Sequence, residues 1–152
     1  MKIGTNYPRV RQLKRSLDKK RLRLSAARAR YYVRRVKAED GVSRIGSVPG
    51  GTKADNQAMM ADLADSKAEM DSAGRIFAAE KAKARELLEA VGDPVNEALL
   101  NGALLEGDGL RILRHTLGMS KQGVYYRAGM ALRELEELME ADGYGEPEHK
   151  GD

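Results

Sequence analysis

Cysteine and tryptophan are absent from the 152 residues, and phenylalanine occurs once. Without thiols the chain has no disulfide, no thiolate metal site and no cysteine nucleophile. Six Tyr supply almost all of the large rings, so a thick aromatic core is excluded. Two His, at 115 and 149, stand too far apart for a local metal motif, and no metal or cofactor is expected. No run approaches the roughly 20 apolar residues of a membrane span. The opening MKIGTNYPRV also lacks the apolar centre of a signal peptide. A cytoplasmic protein with no membrane partner is expected.

What remains is rich in Ala, Leu, Glu, Lys and Arg, with 33% of residues charged. Such a composition suits long exposed helices that bury an apolar stripe. The length favours one compact domain, or a small domain with an elongated appendage. The net charge of +4 conceals a strong asymmetry. Residues 1–40 carry +11, residues 41–92 carry −1, residues 93–139 carry −2 and residues 140–152 carry −4. The basic arm can meet nucleic-acid phosphate, or pair with acidic surface on its own chain or on a partner.

Residues 9–38 contain neither Gly nor Pro, and Val10, Leu17, Leu24 and Tyr31 recur every seven positions, with Leu13 and Ala27 between them. This predicts an amphipathic helix about 45 Å long. Pro8 stands near its first turn, after Tyr7. Lys20 and Arg34 interrupt the seam, but their alkyl stems can lie along it. The run GVSRIGSVPGGT, Gly41 to Thr52, predicts a loop. A second helix follows from about Ala54 to Val91. Leu63, Met70, Phe77, Ala84 and Val91 keep the seven-residue interval, and Ala73 and Leu87 fill intermediate places. Such a heptad wants a partner helix. The first helix supplies it, folding back antiparallel, with Asp62, Asp65, Glu69 and Asp71 available to its Arg-rich surface. Gly74 weakens the second helix and can permit close backbone approach.

Asp93 and Pro94 predict the N-cap and first position of a third helix with Val95, Leu99 and Leu100 on its apolar face. Gly107 and Gly109 place a turn before Leu110. From Leu110 to Met139 two helices are separated by Gly118, Met119 and Ser120. Leu110, Leu113 and Leu117 form one apolar face. Val124, Ala128, Ala131, Leu132 and Leu135 form the next. Gly118 suits a left-handed terminus, and Ser120 suits an N-cap. This is the pattern of a helix-turn-helix, whose second helix offers its amino-terminal residues to a DNA major groove.

On that second helix stand Lys121, Gln122, Tyr125, Tyr126 and Arg127. Gln can bond adenine bidentately, Lys can reach guanine or phosphate, and Tyr can bond phosphate or pack on a thymine methyl. Ser120 and the neighbouring backbone N–H groups can hold a phosphate. Glu134, Glu136 and Glu137 lie beyond the groove-facing turn, where they suit a protein contact or plain solvation. An enzyme is not expected: His115 near Asp108 and Arg111 lacks a third partner, and GSVPGGTK lacks the glycine-lysine pair of a phosphate loop.

The stretch from Glu106 to Leu135 resembles sigma factor region 4, and more closely the phage-encoded regulators of the ArpU type. The shared places are Glu106 and Gly107, then Leu117, Gly118 and Ser120, then Val124 and Tyr125, then Ala131, Leu132 and Leu135. The resemblance implies a transcriptional regulator that binds double-stranded DNA and contacts RNA polymerase. It also implies a charged helical hairpin upstream, a surface open to DNA, to polymerase or to a second copy in a homo-oligomer. One departure is Arg114 after Leu113, where the family usually has a small Ala; Arg114 then either turns outward as a further DNA contact or alters the helix crossing.

The expected fold is all-α. A long antiparallel, coiled-coil-like hairpin spans 1–92 with its loop at 41–52, a helix-turn-helix domain of sigma region 4 type spans 93–139, and 140–152 forms a disordered acidic tail. Two other functions fit the same features: a DNA-recognition protein like the small subunit of a phage terminase, and a helical adaptor that binds protein only.

Overall fold

The structure is a computed structural model that describes residues 3–45, 53–106 and 109–144. It is all-helical: α1 (Pro8–Ile45), α2 (Lys53–Glu89), α3 (Pro94–Leu104), α4 (Gly109–Leu117) and α5 (Lys121–Ala141), with no strand among the described residues. No helix among these residues is long and apolar enough to cross a membrane. The chain divides into two compact units, Met1–Asp18 with Ala79–Asp152, and Lys19–Ala78. The boundary falls inside both α1 and α2.

In the first unit the core is aliphatic. Val10, Leu13 and Leu17 of α1 meet Ala84, Leu87 and Leu88 of α2, Leu100 and Leu104 of α3, and Ala131, Leu132, Leu135 and Met139 of α5. A second cluster of Leu99, Leu110, Val124 and Ala128 joins α3, α4 and α5. The expected apolar positions of α5 are all buried. Asp93 caps α3 as its sequence predicts, accepting from the N–H groups of Val95 and Asn96 at 2.9 and 3.2 Å with Pro94 at the helix start.

α3 runs to Leu104 with Gly102 buried inside it, and α4 starts at Gly109. The two helices cross closely at these glycines. A Cβ on Gly102 would stand 2.9 Å from the Gly109 carbonyl carbon, and one on Gly109 would stand 2.4 Å from the Gly102 Cα. Two helices meet backbone to backbone only where both lack a side chain. Gly107 lies outside the described residues.

Glu136 departs furthest from its expected role. It is buried, and its carboxylate accepts from the N–H groups of Arg9 and Val10 at 3.0 and 2.9 Å, with the Arg9 guanidinium at 3.7 Å. The first turn of α1 contains no acid of its own. An exposed helix start leaves its first N–H groups without acceptors; here α5 supplies them. The other two acids are engaged as well. Glu134 accepts from Asn96 at 3.1 Å, and Glu137 lies 3.5 Å from Arg133.

In the second unit, contacts descend α2 as they ascend α1: Leu24 lies beside Gly74, and Arg30 pairs with Glu69. That order is antiparallel. Leu24, Ala27 and Ala73 are buried, with Met70 and Phe77 packed against them. Arg21 lies over the Phe77 ring, 5.6 Å from its centre. Ser66 takes a core place and satisfies its hydroxyl on the Leu63 carbonyl at 2.9 Å. The expected close approach at Gly74 is absent, since a Cβ there would meet only Leu24 at an ordinary 3.8 Å.

The predicted loop from Gly41 is also shorter on its first side, because α1 continues through Gly41 to Ile45. One Gly costs a helix about 1 kcal/mol, too little to end one of this length. Residues 46–52 and the acidic end 145–152 lie outside the described residues.

Candidate nucleic-acid interface

The break between α4 and α5 is built from three residues with separate tasks. Gly118 adopts φ +63°, a left-handed conformation that glycine enters without strain. Its N–H donates to the His115 carbonyl at 3.3 Å, and the Met119 N–H donates to that of Arg114 at 3.1 Å, closing the last turn of α4. Met119 then packs against the cluster around Leu99 and Val124. Ser120 is extended, and its Oγ accepts from the Gly123 N–H at 3.0 Å. The chain therefore leaves one helix and starts the next with both ends capped.

Leu117, whose spacing predicts a place on the buried face of α4, is exposed. The chain reverses immediately after it, and Met119, on the far side of Gly118, fills the apolar place instead.

Beyond Ser120 the two sides of α5 differ sharply. Val124, Ala128 and Ala131 are buried, whereas Lys121, Gln122, Tyr125 and Tyr126 are exposed, the tyrosines to 43% and 73%. Gln122, Tyr125 and Tyr126 share one face by the i, i+3, i+4 rule. The first turn of α5 contains no acid of its own to offset the positive end of the helix dipole. Arg114 projects into solvent from the last turn of α4, together with His115.

Arg127 has a different setting. It is half-buried, with its Nε 3.5 Å from the Asn96 Oδ1, to which it donates, and its guanidinium 3.9 Å from Asp93. It links α5 to the start of α3. Tyr7 links the same helix from another direction, its hydroxyl donating to the Gly129 carbonyl at 3.4 Å.

Ile112 of α4 and Met130 of α5 are exposed apolar residues that the sequence pattern does not mark. A helical period cannot distinguish an exposed apolar side chain from a core one. Among the described residues no group of three or more His, Asp or Glu could hold a metal ion.

The fold and this surface define a class: an all-helical protein with a capped two-helix corner whose second helix offers polar and aromatic side chains at its amino end. Compared with protein-family models, curated proteins and solved structures, the chain finds no match.

Proposed function

We propose that this chain is a phage or prophage transcriptional regulator of the ArpU type. In this reading α4 and α5 act as a helix-turn-helix of sigma region 4 type, α1 and α2 form the upstream hairpin, and α5 enters the major groove of promoter DNA at Ser120. The observation that carries the proposal is the joint exposure of Lys121, Gln122, Tyr125 and Tyr126 at the capped, acid-free start of a helix whose opposite face is buried.

Gln122 is the candidate base reader, through adenine, and Tyr125 and Tyr126 suit phosphate or a thymine methyl. Lys121 and Arg114 supply charge. Arg127 serves chiefly to orient α5, because its guanidinium already faces Asp93 and Asn96. The −2 of residues 93–139 would weaken phosphate binding if it lay at the reading end. Three of its acids, Glu134, Glu136 and Glu137, are engaged by Asn96, Arg9 and Val10, and Arg133. For the expected RNA polymerase contact, the exposed apolar side chains Ile112 and Met130 are candidate anchors.

Footprinting on the DNA upstream of its own gene tests the proposal. A bounded protected site is expected; uniform or no protection across that DNA contradicts it.

A further inference from the structure

Within the Lys19–Ala78 unit, α1 is apolar on two opposite sides. Leu24 and Ala27 face the buried cluster with Ala73. Leu22, Ala26, Ala29, Val33 and Val36 form a second seam whose spacings alternate four and three, the rhythm of a coiled-coil contact line. At about 100° per residue this seam points roughly opposite to the first. It is uncovered: Leu22 is 69% exposed, Val33 51% and Val36 38%, with Ala26 and Ala29 exposed between them. A contiguous apolar row along a solvated helix is a candidate contact surface.

Charge limits what can cover it. Lys19 to Ala38 contains nine basic residues and no acid, with Arg23, Arg30 and Lys37 at seven-residue intervals along one flank of the seam. Pairing this seam with itself in antiparallel register would set like charges opposite one another. The complementary charge is present on the same chain. Residues 55–71 of α2 contain five acids and one Lys. Of these, Asp62, Asp65 and Asp71 are exposed and form no ion pair among the described residues. Ala61, Ala64 and Ala68 are exposed beside them, small enough for a bulky seam to approach.

We infer that the outer seam of α1 docks on the acidic outer face of α2 in a second copy of this chain. The two surfaces face away from each other on the outer sides of the α1–α2 pair, so one neighbour cannot cover both; the contact is head-to-tail and propagates into a closed ring or an open filament. This inference does not depend on DNA binding.

Analytical ultracentrifugation of the full chain, without DNA, tests it with two variants that alter exposed positions only. Leu22→Glu/Val33→Glu disables the α1 seam, and Ala64→Arg/Ala68→Arg disables the α2 face. The wild type is expected to be larger than a monomer at about 50 µM, with association at least tenfold weaker in high salt because the charges are screened. Each variant alone is expected to be monomeric with an unchanged helical circular dichroism spectrum. Mixed, they should form a dimer that grows no further, because one intact pair of faces remains. A monomeric wild type, assembly that survives the α2 variant, or a mixture that stays monomeric would overturn the inference.

Discussion

Glycines 102 and 109 hold two helices together by having no side chain, whereas Gly129 sits in open space on α5. Replacing Gly102 with Ala forces a Cβ to within 2.9 Å of backbone carbon and is expected to cost about 3 kcal/mol, the upper range for overpacking. Gly129→Ala meets nothing within 4 Å and should gain about 0.5–1 kcal/mol, because Ala loses less backbone freedom in a helix. Urea unfolding of both variants checks the opposite signs. Glu136→Gln keeps the shape but removes the charge that binds the Arg9 and Val10 N–H groups. It is expected to cost about 1–3 kcal/mol in the same measurement, and a loss below about 0.3 kcal/mol would show that the α1 start does not depend on it.

These residue roles differ in how visible they are in the sequence. Asp93, Gly118 and Ser120 act on neighbours two or three positions away, so their chemistry can be read locally. The Gly102–Gly109 crossing and the Glu136 cap depend on partners brought together by the fold, and no local pattern marks them. Gly74 illustrates the converse: it looks like a close-approach site, but no backbone comes near it.

Among the elements, the long periodic helices are the most legible, because a seam repeated over several turns outweighs single irregular residues. The ends are less so. α1 extends past Gly41, because the length of the helix overrides the penalty of one glycine. The buried side of α5 follows directly from its period. Its exposed side is only a list of residue types in sequence, and their joint presentation at the amino end depends on how α3 and α4 cover the other face. Leu117 fits the period of α4, yet it is exposed, because a repeat carries no information about where the chain turns away.

For the whole molecule, the two units bury very different cores. The first gathers aliphatic side chains from α1, α2, α3 and α5. The second buries Leu24, Ala27 and Ala73, with Met70 and Phe77 only partly covered. Local opening is easiest where little apolar surface is lost. In dilute protein, amides of residues 60–76 are therefore expected to exchange hydrogen at least tenfold faster than those of 128–139. Equal protection in the two regions would contradict this division. Charge is also unevenly spread, and the +11 of residues 1–40 favours encounter with any polyanion, specific or not. Affinity alone therefore says little about recognition, and salt dependence and sequence discrimination must be measured together.

The most direct test is a salt-titrated binding isotherm on the upstream DNA, comparing wild type with Lys121→Ala/Gln122→Ala/Tyr125→Ala. The wild type should prefer that DNA over random duplex and lose affinity steeply with salt. The triple variant should bind about a hundredfold more weakly with its preference removed and a salt slope shallower by about one. Unchanged affinity and preference in the variant would contradict the assignment of α5 as the reading helix.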